Sequence, residues 1–259
     1  MSDVDGAYAS GTPCWFDMTV PSRDTAMDFY GPVLGWTFQG DFYTMCQVRG
    51  RPVAAIAEPH PGEPAPAQSN WTIYLATADC AAALRRVTDA GGKVVKPRQD
   101  AMVGWLAIAQ DTTGGVFALW QGRELSGSQV VDEGGAPCWS EVTSADLAAT
   151  VEFYRRVFGY DTEPREDAPY VTLNSGGRPV AGVFAGAEQR PHEGHAAWLA
   201  YFQVPDADKA AEQAVSHGGR VVTAPQESPH GRDVVLADPF GATFVATERR
   251  GPFRLGHTR

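Results

Sequence analysis

Two aromatic and acidic pairs, Trp15 with Asp17 and Trp139 with Glu141, have the residue types and spacing best suited to chemistry in this chain. The members of each pair stand two positions apart, so on a β-strand they project from the same face. A flat apolar wall beside one carboxylate suits a planar organic ligand, with the acid placed to orient a donor group or take its proton. An ionised carboxylate is expensive to bury without partners, and a structural hydrogen bond to a loop amide is the competing role for Asp17 and Glu141. Tyr43 and Tyr170 open equivalent strands and can bring hydroxyls to the same faces, with core packing as the alternative. If those faces look into a cup, Trp71, Tyr74 and Trp105 join the first site, and Trp198, Tyr201 and Arg232 the second. Each tryptophan can equally be read as simple core. His192, His195 and His230 occur only in the second half, where His195 or His230 is the best available base near neutral pH. A solvated loop position is the alternative for each.

These residues are placed by a repeat. The stretch Pro13–Val20 returns as Pro137–Ser144, 124 residues later, and Phe29, Tyr30 and Gly35 answer at the same offset to Phe153, Tyr154 and Gly159. Three inserted residues then shift the register. Gly50–Val53 matches Gly177–Val180, and Trp71, Tyr74, Gly91–Gly92 and Asp111 match Trp198, Tyr201, Gly218–Gly219 and Asp238. A repeat of this length is a duplication. Two domains are expected, 1–127 and 128–259, each long enough for its own core and joined through the Gly- and Ser-containing linker at 121–136.

Each half holds the order strand, helix, strands twice. In the first half, a strand at 14–20 precedes a helix that Ser22 can cap and Gly35 stops, and strands at 43–48 and 53–57 flank a turn at 49–52. The pattern restarts with a strand at 71–77, a helix capped by Asp79 and closed by Gly91–Gly92, and strands at 94–95, 105–109 and 116–120. The second half repeats the plan, with helices near 146–158 and 206–217 and a last strand at 243–247. The fold class is α+β, with four βαβββ units in two pairs.

Composition removes several functions. A formal charge of −10 without a basic patch argues against nucleic acid and acidic membrane surfaces as partners. No run of about 18 apolar residues occurs, and the first ten residues lack a signal-peptide pattern, so a cytoplasmic protein is expected. Cys14, Cys46, Cys80 and Cys138 show no close-pair metal spacing and read as reduced and structural. There is no phosphate-binding Gly loop, Gly-x-Ser-x-Gly elbow or Cys–His nucleophile arrangement.

The paired units, each with a helix ending in Gly–Gly before a Val–Val strand and an Asp-x-x-Gly turn before the last strand, resemble the vicinal-oxygen-chelate superfamily. It includes glyoxalases, bleomycin-resistance proteins and extradiol dioxygenases. The resemblance spans residues 11–248 and implies tandem glyoxalase-like domains. Within it, the double-domain form beginning Pro-Cys-Trp resembles actinobacterial glyoxalase-like proteins that carry a hydroxylase label. The family's metal-ligand positions fall on Trp15, Thr72 and Ala118 in one half and on Trp139, Leu199 and Val245 in the other. None offers the imidazole or carboxylate that a divalent metal needs, so no cofactor is expected. A one-residue slip that brings in His195 or Glu141 does not recreate three donors. Three functions stay open: a binder of a small, partly aromatic metabolite or antibiotic; a metal-free hydroxylase, isomerase or glyoxalase-like lyase; and an interaction protein with filled cups. A monomer or homodimer fits all three.

Overall fold

The structure, a computed structural model, describes residues 3–186, 196–228 and 231–249. Its first half builds β1 (Pro13–Thr19), α1 (Arg23–Leu34), β2 (Thr37–Gln39), β3 (Tyr43–Val48) and β4 (Arg51–Ala57), then β5 (Thr72–Ala76), α2 (Cys80–Asp89), β6 (Lys93–Asp100), β7 (Gly104–Gln110) and β8 (Val116–Gly122). The second half repeats this as β9 (Pro137–Ser144), α3 (Leu147–Phe158), β10 (Asp161–Pro164), β11 (Tyr170–Ser175) and β12 (Arg178–Ala185), then β13 (Ala197–Gln203), α4 (Ala207–Ser216), β14 (Arg220–Ser228), β15 (Gly231–Ala237) and β16 (Thr243–Arg249). Each half forms one eight-stranded sheet, ordered β2-β3-β4-β1-β5-β8-β7-β6 and β10-β11-β12-β9-β13-β16-β15-β14. In each sheet the first strands of the two units pair antiparallel at the centre.

Local sequence explains the helix ends. Asp79, Asp146 and Asp206 each accept a backbone N–H three residues on at 2.9 Å, and Ser22 does the same for α1 at 3.3 Å. The turn between β3 and β4 puts Arg49 and Gly50 at φ 53° and 71°, the left-handed pair that suits a two-residue hairpin. The short edge strands β2 and β10 are mostly exposed and carry no apolar alternation that would mark them in the sequence. Strand β6 runs past the expected valines and through Pro97, which an edge strand tolerates.

One face of each sheet carries its helices and meets the other half. There α1 packs on α4 and α2 on α3, and a single apolar core draws Phe16, Phe29 and Trp71 together with Phe202 and Phe244 across the halves. Gly219 permits this approach, since a Cβ there would lie 2.5 Å from the Phe29 ring. Two reciprocal relays cross the same interface. Trp71 Nε1 donates to the Tyr30 hydroxyl at 3.2 Å, which donates to Asp238 at 3.1 Å; Trp198 Nε1 donates to Tyr154 at 2.7 Å, which donates to Asp111 at 2.9 Å. The connector at 121–136 is pinned along its length, with Val130 and Val131 buried and Ser128 Oγ donating to the Val53 carbonyl at 2.6 Å.

Candidate functional site

On the face opposite the helices, each half gathers the residues of its candidate cup in a second, smaller apolar cluster. Alternation on β1 sends Phe16 and Met18 into the shared core and turns Trp15 and Asp17 to the cup. Trp15 lies opposite Tyr74, and Asp17 opposite Thr72 on one side and Ala55 on the other. Trp15 Nε1 donates to the Tyr43 hydroxyl at 2.8 Å, Tyr43 donates to Asp17 Oδ2 at 3.0 Å, and Tyr74 donates to the same oxygen at 2.7 Å. Trp120 meets Tyr74 edge to face at 6.1 Å, and Met45, Val103, Leu106, Leu125 and Tyr8 complete the apolar surround. Trp15 and Tyr74 are buried, whereas Asp17 is partly accessible and Tyr43 is 38% exposed.

Burial pushes the Asp17 carboxyl up to about 6, against the downward pull of hydrogen bonds from Tyr74, Tyr43 and Thr72. Burial, and then the nearby Asp17 charge, push Tyr43 and Tyr74 well above the usual phenol range, so both stay protonated donors. The partners of Asp17 are therefore neutral hydroxyls. Chemically, the arrangement offers one hydrogen-bond acceptor that changes charge near neutral pH, set against apolar rings.

The second cup is built differently. Trp139 Nε1 donates to Tyr170 at 3.0 Å, and Glu141 is buried opposite Leu199 and Gly182. Gly182 stands where the first half has Ala55, and a Cβ there would come within 1.8 Å of the Tyr170 hydroxyl, so this tyrosine sinks onto the sheet. Cys138, Leu199, Tyr201, Val222, Val235 and Val245 surround it. An Arg249–Asp132 ion pair at 2.5 Å, with side chains only 6% and 16% exposed, borders Cys138.

Four expected site residues lie elsewhere. Trp71 and Trp198 face the shared core and serve the two relays. Strand parity is the reason: residues three apart, such as Trp71 and Tyr74, point to opposite faces. Trp105 also packs toward the shared core, with the Arg98 and Arg123 guanidiniums 4.1 and 5.2 Å from its ring centre. Arg232, its counterpart, is held by Asp208 of α4 at 2.8 and 2.9 Å. His192, His195 and His230 lie outside the described residues. Trp120, Met45 and Leu106 join the first cup beyond the residues that spacing alone picks out, although the two-residue spacing of Ala118 and Trp120 puts those two on one face of β8.

Trp15, Thr72 and Ala118 stand on neighbouring central strands, but their side chains are an indole, a hydroxyl and a methyl. Among the described residues, no three His, Cys, Asp or Glu converge. This donor set does not fit a divalent ion.

The profile of the Glyoxalase/Bleomycin resistance protein/Dioxygenase superfamily matches residues 14–119 and again 139–245. The chain belongs to this superfamily and contains two glyoxalase domains. It is similar to the "Putative glyoxylase CFP32" of Mycobacterium tuberculosis, with 33% identity over 252 residues, 92% of this chain and 94% of the relative. It is also similar to the anthracycline biosynthesis protein DnrV of Streptomyces peucetius, with 32% identity over 268 residues, 94% of this chain and 95% of the relative. Among solved structures, the Mn(II)-bound glyoxalase from Novosphingobium aromaticivorans superposes with a TM-score of 0.66 at 15% identity, covering 96% of this chain and 86% of that one. The 2,3-dioxygenase LapB from Pseudomonas sp. KL28 gives 0.62 at 15% identity, covering 95% and 96%. These two likenesses concern the fold. No helix among the described residues is long and apolar enough to cross a membrane.

Proposed function

We propose that this protein binds a small, partly aromatic organic molecule in the first cup, without a metal ion. The observation that carries this reading is Asp17, partly accessible and held by two tyrosine hydroxyls within a surround of Trp15, Tyr74 and Trp120. A few placed polar groups in an apolar enclosure are the usual form of a small-molecule site. The similarity to anthracycline biosynthesis proteins supports a polycyclic aromatic as the class to try first. The four buried, unbridged cysteines agree with a reducing compartment such as the cytoplasm.

A second reading, a metal-free enzyme, is favoured by one fact: a carboxyl near 6 is well poised to accept a proton. Titrating the protein with an anthracycline aglycone, following tryptophan fluorescence, tests the first reading, and Asp17→Asn separates the two. Unchanged affinity with lost turnover marks acid–base chemistry; weakened binding with no turnover in either form marks a carrier. Chelation with EDTA should leave affinity unchanged, and elemental analysis after metal reloading should find no stoichiometric Zn, Fe, Mn or Ni. One tightly held ion per chain with a matching activity would overturn metal independence.

A further inference from the structure

Among the described residues, those around the Asp17 carboxylate give it hydrogen bonds but no countercharge. Around it, β3 contributes Tyr43, β5 contributes Thr72 and Tyr74, and β4 and β8 contribute Ala55 and Ala118. The Cys14 thiol lies beyond, against the Tyr74 carbonyl at 3.3 Å. Burial raises both phenols and this thiol above their usual ranges, so all three stay neutral, and neither group type can carry a positive charge. An anion enclosed in this way costs folding free energy that a cation restores on binding. The negative faces of the surrounding indole and phenol rings favour the same sign of ligand. The second cup differs, because a buried Arg249–Asp132 ion pair lies beside its Cys138.

We propose that the ligand of the first cup carries a protonated amine next to a flat apolar body, the ammonium pairing with Asp17 and the body lying along the Met45, Leu106 and Trp120 surface. This rests on the reading of the first cup as a ligand site. It also names what the ligand lacks, namely an anionic group at the same end, which Asp17 would repel.

Isothermal titration of the full chain with aminomethylanthracene and with its neutral counterpart, hydroxymethylanthracene, tests the assignment. At about pH 7.5 the amine should bind roughly tenfold or more tightly than the alcohol, about 1.4 kcal/mol per tenfold step. Asp17→Asn should abolish that preference. In the wild-type chain, lowering the pH to about 5 should shrink it as the carboxylate protonates while the amine stays charged; this arm needs no variant and stands even if the substitution disturbs folding. Equal affinity for the two probes overturns the amine while leaving the cup a binding site. A preference that survives both Asp17→Asn and acid overturns the role of Asp17. Binding of neither probe overturns the amine and the ligand site together.

Discussion

Asp17 has its raised carboxyl because the strand that carries it must present Trp15 two residues earlier to the same apolar face. Its folded value of about 6 lies above the unfolded 3.8, so folding takes up a proton between those pH values. Stability therefore falls as pH rises through that window, and the destabilisation is complete above about 6. Asp17→Asn should raise stability near pH 7.5 by on the order of 1–3 kcal/mol, with the upper end reduced by the partial accessibility of the group. The gain should vanish near pH 4. Urea midpoints of both proteins at the two pH values check this, and an Asn variant that is weaker at neutral pH would mean the tyrosine hydrogen bonds outweigh desolvation. At this scale the sequence was informative where spacing is two. Trp15 with Asp17 could be placed on one strand face from numbering alone. The contacts of Tyr43 and Tyr74 with Asp17 depend on cross-strand register, which side-chain patterns leave open.

Elements explain what spacing misjudged. Trp71 and Trp198 stand three residues before Tyr74 and Tyr201, and that odd separation sends them to the helix face. There the repeated Phe-Tyr pair of each first helix finds its purpose: Phe29 and Phe153 fill the core, while Tyr30 and Tyr154 reach the turn aspartates of the opposite half. Asp238 also accepts the backbone N–H groups of Phe240 and Ala242, so its second oxygen depends on Tyr30. Tyr30→Phe leaves that oxygen and the Trp71 N–H without this partner and should cost about 1–3 kcal/mol. Tyr154→Phe should cost a similar amount through Asp111. Because the relays use separate residues, the double variant should lose the sum to within about 0.5 kcal/mol, as read from denaturant midpoints. A loss below a few tenths in either single variant would show that water replaces the hydroxyl.

The whole molecule joins two sheets through one core, and this changes what independence of the halves means. The duplication was plain in the sequence, down to the three-residue insertion, and so was the order of strands and helices. The partner face was not, since apolar helix stripes look the same whether they cover their own sheet or meet another. We propose a boundary slightly later than residue 127, on the hydrogen bonding along the connector. Ser128 N donates to the Cys14 carbonyl, Gln129 N donates to the Pro52 carbonyl, and Val130 bridges to Asp3, all in the first half. From Asp132 onward the main allegiance changes: Asp132 N donates to the Pro137 carbonyl, its carboxylate pairs with Arg249, and Gly135 N donates to the Gln203 carbonyl. Fragments 1–131 and 132–259 should therefore each form their own sheet but expose the apolar face that α1 and α2 share with α3 and α4. Alone, each fragment should melt at low temperature and bind a hydrophobic dye. Mixed in equal amounts, they should associate and recover a cooperative transition whose midpoint rises with concentration, because assembly stabilises by mass action. Calorimetry over a range of concentrations reads this directly. Two fragments that melt cooperatively at the temperature of the intact chain, and show no association in sedimentation, would mean that the shared core adds little to either half.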